Sequence, residues 1–182
     1  MRADAKRNDE LLVSAARDVF AAEGSDASME AIARKAGVGV GTLYRHFPKR
    51  IDVVEAVYRG DVDELVASAE HAVAELQPLA AVEAFLLAFA RYARTKRTFL
   101  EELREAFDKR PDLRLQSMER INAAAELVIG RAQRSGDLRD DITGADLIQL
   151  MGPMCTSPTL TEAQGKRLLA LVLDGLRVTE RP

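Results

Sequence analysis

Apolar residues recur at helical spacing from one end of the chain to the other, and alternation with a period of two is scarce. Leu11, Leu12, Ala15, Ala16, Val19 and Phe20 make an i, i+1, i+4, i+5, i+8, i+9 stripe, which predicts a first helix with one apolar face. Gly24 predicts its stop. Ser28 is the expected N-cap of a short helix carrying Met29, Ile32, Ala33 and Ala36, closed by Gly37. A second short helix is expected from Gly39 or Val40 to Phe47, where Pro48 blocks continuation. The stripe Val54, Val57, Tyr58, Val62, Leu65, Ala69, Val73 predicts a long helix over about Arg50–Leu76, with Gly60 as a point where it can bend. Pro78 opens the next helix, strongly apolar over Ala81–Tyr92, and another fits Thr98–Phe107. Pro111 opens a long helix to about Ser135, ended by Gly136. A short helix over Asp146–Met151 is expected to stop at Gly152–Pro153, with a loop from Pro153 to Thr159. Thr161-Glu-Ala-Gln164 has the form of a capping box, and the last helix carries Leu168, Leu169, Val172, Leu173 and Leu176. The expected fold is all-α, about nine helices with no internal repeat.

The most informative stretch is Ser28 to Arg50. Two short helices joined by Ala36, Gly37 and Val38 outline a helix-turn-helix, with Gly37 allowing the sharp turn and Val38 packing inward. At about 100° per residue, Leu43 and Phe47 of the second helix fall together and must face the core. Arg45 then points outward, flanked by Gly41 and Thr42, with Tyr44 and His46 on the shoulders. Such a face suits a DNA major groove. Arginine can read a guanine edge with two hydrogen bonds. Tyrosine and histidine can donate to phosphates. Gly39 and Gly41 let the backbone come close. The same spacing also fits a solvated face of an ordinary bundle.

Composition narrows the alternatives. Hydrophobic residues are 47% and charged residues 30% of the 182, enough for a core. The formal charge of -3 argues against a generally basic nucleic-acid binder or a polybasic membrane anchor. Its distribution is bipolar. The first fifty residues hold nine basic and seven acidic side chains, a surplus of two positive charges; the rest hold seventeen and twenty-two, a deficit of five. A basic head on an acidic body fits local DNA reading. One cysteine, Cys155, precludes a disulfide within the chain and suits a reducing cytoplasm, the expected location. Met1 to Glu10 lacks the pattern of a signal peptide, and no apolar run reaches the length of a membrane span. Two distant histidines, His46 and His71, and one cysteine give no zinc spacing. There is no Glu-x-x-His pair, no glycine-rich phosphate loop and no nucleophile triad, so neither a cofactor nor an enzyme is expected. His71 reads as a surface residue. Cys155, in its expected loop, reads as incidental rather than redox-sensing.

The run Ala36-Gly-Val-Gly-Val-Gly-Thr-Leu-Tyr-Arg-His-Phe-Pro-Lys-Arg50, with Phe20-Ala-Ala-Glu-Gly24 and Met29-Glu-Ala-Ile-Ala33, closely resembles the DNA-binding motif of the TetR family of bacterial transcriptional regulators. The resemblance covers about residues 8 to 60. It implies an all-helical homodimer, a palindromic operator and a ligand pocket in the C-terminal body that controls DNA affinity. It divides the chain into a helix-turn-helix domain, 1–48, and a ligand-binding and dimerisation domain, 49–182. By position, Val40, Thr42 and Arg45 resemble groove-facing residues, while Ser28, Tyr44 and His46 resemble phosphate contacts. Gly39 stands where the family often has serine. Lys49 takes the usual cap position before the long helix, leaving it without a side-chain acceptor there, and Arg50 takes the usual basic position. Either cation is a candidate for phosphate.

The body is less specific. Phe107 to Arg114 and Ile129 to Arg139 resemble a subgroup typified by SbtR. Five of nine aromatics lie between Phe85 and Phe107. Phe85, Phe89 and Tyr92 share one helix face, a pattern that suits core or pocket. With Phe99, Phe107, Met118 and Asn122, and more weakly Met151, they are the candidate effector contacts. The expected function is a ligand-responsive regulator, a repressor by preference, with a dimer interface near Leu115–Arg134 and Gln164–Leu176. The alternative is a small-molecule-binding or interaction bundle that has lost DNA binding.

Overall fold

The structure, a computed structural model, describes residues 2–178, without the side chains of residues 2–7 and Ser25. Nine α-helices run through the described residues: α1 (Arg2–Glu23), α2 (Met29–Ala36), α3 (Val40–His46), α4 (Arg50–Glu75), α5 (Pro78–Arg97), α6 (Leu100–Lys109), α7 (Pro111–Arg134), α8 (Gly144–Thr156) and α9 (Glu162–Leu176). A 3-10 turn, Gly24–Asp26, follows α1. An isolated bridge joins Leu138 to Arg177, with Arg139 N–H donating to the Leu176 carbonyl. No helix among the described residues is long and apolar enough to cross a membrane. The all-α expectation holds.

The chain divides into two compact units. The first joins Met1–Asp61 to Thr95–Arg114. Its core collects Leu12, Ala16 and Phe20 of α1, Ile32 of α2, Leu43 of α3, Val53, Val54 and Val57 of α4, and Leu103 of α6, all with no solvent exposure. Phe99 closes this core on Phe20, ring centroids 5.3 Å apart. The α2–α3 turn forms as its residues dictate. Ser28 caps α2 by accepting from Ala31 N–H at 3.0 Å. Gly37 ends it with φ at 71°, where a Cβ would be strained, and Val38 N–H reaches back to the Ala33 carbonyl. The start of α4 departs from expectation. Asp52, one turn in, accepts the Lys49 backbone N–H at 2.9 Å, so the helix has a side-chain acceptor from its own first turn.

The second unit comprises Val62–Arg94 and Leu115–Pro182. Its core is the stripe Ala81, Val82, Phe85, Leu86 and Phe89 of α5 against Ile121, Ala125, Val128 and Ile129 of α7 and Leu147 and Met151 of α8. Two expectations fail at α8. The helix does not stop at Gly152–Pro153; it runs to Thr156 with Pro153 inside it. A proline ring clashes with the Cβ of the residue before it, and Gly152 has none. Thr156 Oγ1 donates to the Gly152 carbonyl at 2.9 Å, occupying one acceptor of the last turn. Cys155 therefore sits in a helix, buried, not in a loop. Burial pushes its thiol pKa up, away from the reactive thiolate. A reciprocal capping box forms at Thr143–Asp146, at the start of α8. At α9, Thr161 accepts from Gln164 N–H at 3.2 Å.

Candidate nucleic-acid interface

The α3 helix presents the face that its spacing requires. Leu43 is fully buried, and Phe47, its C-cap, is half-buried. Val40, Tyr44, Arg45 and the glycines Gly39 and Gly41 are exposed, while Thr42 is half-buried beside them. The Gly39 carbonyl accepts from Thr42 N–H at 2.8 Å and so caps the helix through backbone alone. Arg45 Nε donates to the Gly41 carbonyl at 3.2 Å. That bond draws the guanidinium back along the helix over the glycine, where no side chain obstructs an approaching base, and leaves both terminal nitrogens as donors. Ser28 is exposed, and its oxygen accepts inside the cap, so its hydroxyl hydrogen points elsewhere.

His46 has a partner that its sequence neighbourhood conceals. Its Nδ1 lies 2.6 Å from Oδ1 of Asp9 on α1, 37 residues away. The two cations after Pro48 have separate fates. Lys49 is exposed. Arg50 is turned into its own unit: Nη2 bonds Glu102 Oε1 of α6 at 2.9 Å, Nε approaches the same oxygen at 3.3 Å, Nη1 donates to the Ala27 carbonyl, and the guanidinium lies 5.1 Å from the Phe20 ring centre. Asp9 and Asp52 are thus residues that the sequence did not single out, and Glu102, which with Glu101 reads from sequence as solvated charge, is instead ion-paired with Arg50. Only Asp52, at the third position of a helix lacking an N-cap acceptor, left a local signal.

The candidate effector contacts separate between the units. Phe99 lies against Phe20, and Phe107 meets Tyr58 edge-on at 5.3 Å, both in the first unit. Phe85, Phe89 and Tyr92 are buried in the second, with Phe89 and Tyr92 rings 5.7 Å apart. Met118 and Asn122 are half-buried on α7, and Met151 is fully buried on α8. An open apolar cleft of about 450 Å³ is lined by Leu150 and Met154 of α8 and Leu168, Leu171 and Val172 of α9. A smaller one, about 310 Å³, lies over Val66, Glu70, Arg120, Ala123 and Leu127. Neither contains a candidate effector residue. His71 is exposed. Among the described residues no group of three or more His, Cys, Asp or Glu is placed to hold a metal ion.

Two family descriptions match separate stretches of the chain. Residues 12–57 match the family described as bacterial regulatory proteins, tetR family, and residues 77–178 match the SbtR-like transcriptional regulator C-terminal domain. The chain is similar to the crystal structure of a TetR transcriptional regulator from Streptomyces coelicolor, with a TM-score of 0.83 and 38% identity over 94% of this chain and 99% of that one. It is also similar to a TetR regulatory protein from Mycobacterium vanbaalenii, with a TM-score of 0.78 and 32% identity over 97% and 99%. An HTH-type transcriptional regulator of Staphylococcus aureus is 42% identical over 64 residues, 35% of each chain. The match thus spans about a third of that curated relative's length.

Proposed function

The chain belongs to the TetR family of bacterial transcriptional regulators, which are non-enzymatic transcription factors that bind DNA operators and act as dimers, and from that premise we propose that it is a cytoplasmic repressor released from its operator by a small-molecule ligand. Each subunit lays α3 in one major groove. Arg45 reads a guanine, while Val40 and Thr42 make the apolar and hydroxyl contacts beside it. Ser28, Tyr44, His46 and Lys49 meet phosphates and set the register. Of the two cations after Pro48, Lys49 is the phosphate contact. The second helical unit dimerises and carries the effector site, with Phe85, Phe89 and Tyr92 as its most apolar candidate lining. The two heads of a dimer then meet half-sites about 34–36 Å apart, or a multiple of that, on a palindrome.

The observation that supports this reading most is Arg45: exposed, held to the Gly41 carbonyl, with its two terminal nitrogens presented beside a helix start that has almost no side-chain bulk. The test is selection of bound sites from random DNA with the full chain. A palindrome should emerge, and Arg45→Ala should weaken binding while relaxing preference at one base pair per half-site, a loss of about 1–3 kcal/mol each. Full affinity and specificity in that variant would overturn the assignment, and no enriched site at low salt would favour a bundle that has lost DNA binding. Release by a small molecule requires that the ligand bind the DNA-free conformation more tightly than the DNA-bound one.

A further inference from the structure

The Asp9–His46 pair sits at the edge of the reading helix, and its geometry favours a proton on the ring nitrogen that faces the carboxylate. An ionised carboxylate only accepts hydrogen bonds, so at 2.6 Å the Nδ1 atom must carry a proton. The other nitrogen, Nε2, is then an acceptor in the neutral ring and a donor only in the imidazolium. A phosphate oxygen is an acceptor only. The ring of His46 can therefore bond a phosphate through Nε2 only when both nitrogens are protonated. Without Asp9 the neutral ring could turn or change tautomer and offer either nitrogen.

We propose that Asp9 is a positioning residue for the operator contact of His46, holding the ring by Nδ1 so that Nε2 meets phosphate as an imidazolium and operator binding is coupled to protonation of that ring. The inference rests on the DNA-reading role of α3. Asp9 on α1 is the charged group bonded to the ring. On α3 the neighbouring Arg45 is directed to the Gly41 carbonyl, and beyond it Lys49 is exposed while Asp52 is held by the Lys49 N–H. Simple electrostatics makes the opposite prediction for Asp9. Its side chain is 51% exposed on the head that approaches DNA, so an acid there with no other role repels phosphate, and removing it would tighten binding. The sign of the effect decides between the two.

The experiment measures affinity of the full chain for its selected operator at fixed salt across about pH 6 to 8, the range in which histidine changes charge. Wild-type affinity should fall as pH rises, and His71→Ala should leave that fall unchanged. Asp9→Ala should weaken binding at the acid end by roughly tenfold, the scale of one charge-assisted hydrogen bond. Asp9→Asn, whose amide oxygen still accepts the Nδ1 proton, should keep most of the affinity. In a His46→Ala background Asp9→Ala should no longer weaken binding. His46→Gln, which donates without titrating, should bind with a flat profile, and it carries the test if Asp9→Ala loses its cooperative thermal transition. Equal or tighter binding by a folded Asp9→Ala variant at the acid end, or a pH fall that persists in His46→Gln, overturns the proposal while leaving DNA reading intact. A wild-type chain that selects no operator overturns both.

Discussion

Arg50 stands two residues beyond the proline that ends the reading helix, in a position that resembles a phosphate contact, yet its guanidinium is spent on Glu102, the Ala27 carbonyl and the Phe20 ring. A cation held this way ties α1, α4 and α6 together within the first unit. Arg50→Met should then lower the thermal midpoint, by about 1–3 kcal/mol of stability, because Glu102 and the Ala27 carbonyl both lose a charged donor. The slope of log affinity against log salt for the operator should stay the same. Lys49→Met should do the reverse, leaving stability alone and reducing that slope by about 1. Lys96 shows a second kind of burial. Its ammonium lies 5.9 Å from the Tyr58 ring centre and 5.7 Å from that of Phe107. Burial, and then the positive charge of Arg114, hold its pKa below the ordinary lysine value. The unfolded chain therefore binds a proton that the folded chain releases earlier as pH rises. Stability should climb between the folded and the ordinary pKa, and the penalty on the charged form should be full below that window. Lys96→Met should raise the thermal midpoint at neutral pH and remove that climb on the alkaline side, as read by unfolding curves from about pH 7 to 10.

Helix boundaries tested how far periodicity reaches. Nearly every helix was legible because its stripe and its stop residue agree, as at Gly37 and Gly136, both with positive φ. The failure at α8 has a local cause: proline costs a helix one backbone hydrogen bond and also crowds the residue before it, and Gly152, without a Cβ, eases the second of these penalties. The start of α8 depends instead on α7. A Cβ on Gly144 would lie 2.9 Å from Ala125 C and Glu126 Cα, and Glu126 Oε2 accepts the Gly144 N–H at 2.7 Å. Nothing in the sequence near Gly144 announces a neighbouring backbone eighteen residues away. Gly144→Ala should cost about 1–3 kcal/mol, because two helix backbones must part to admit one methyl group, measured as a lowered denaturant midpoint. Gly152→Ala, where an added Cβ meets no other part of the chain within 4 Å, is the control: it lacks the packing clash and reports only the residue before Pro153. The candidate site was legible in the same partial way. The face of α3 follows from its own spacing. The partners Asp9 and Glu102 do not, because their bonds to His46 and Arg50 span 37 and 52 residues and no periodicity records contacts at that range.

Nor does periodicity assign residues 95–114. A cut at residue 48 separates a helix-turn-helix from a body, whereas α6 is compact with the N-terminal helices through Phe99–Phe20, Arg50–Glu102 and Tyr58–Phe107. For the dimer we propose an interface built on α8 and α9; Ile121, Ala125, Val128 and Ile129 of α7 are already covered within their own unit, and only Leu115 and Leu127 among its large apolar side chains are exposed. Leu150 of α8 is 57% exposed and Leu171 of α9 is 66% exposed, on either side of the apolar cleft between these helices. A second copy of the same pair would cover both leucines by a two-fold, four-helix arrangement. Joining the heads in this way makes the second half-site contact intramolecular, which multiplies operator affinity by about 10²–10⁴ without a new DNA contact. A Leu150→Glu, Leu171→Glu double variant should be monomeric by light scattering, with the helical content and thermal transition of a folded chain. Its affinity for the full palindrome should fall by about two orders of magnitude or more, while its affinity for an isolated half-site should match that of the wild type. A variant that stays dimeric would move the interface elsewhere on the second unit. A monomer with undiminished affinity for the palindrome would mean that each head reads DNA independently.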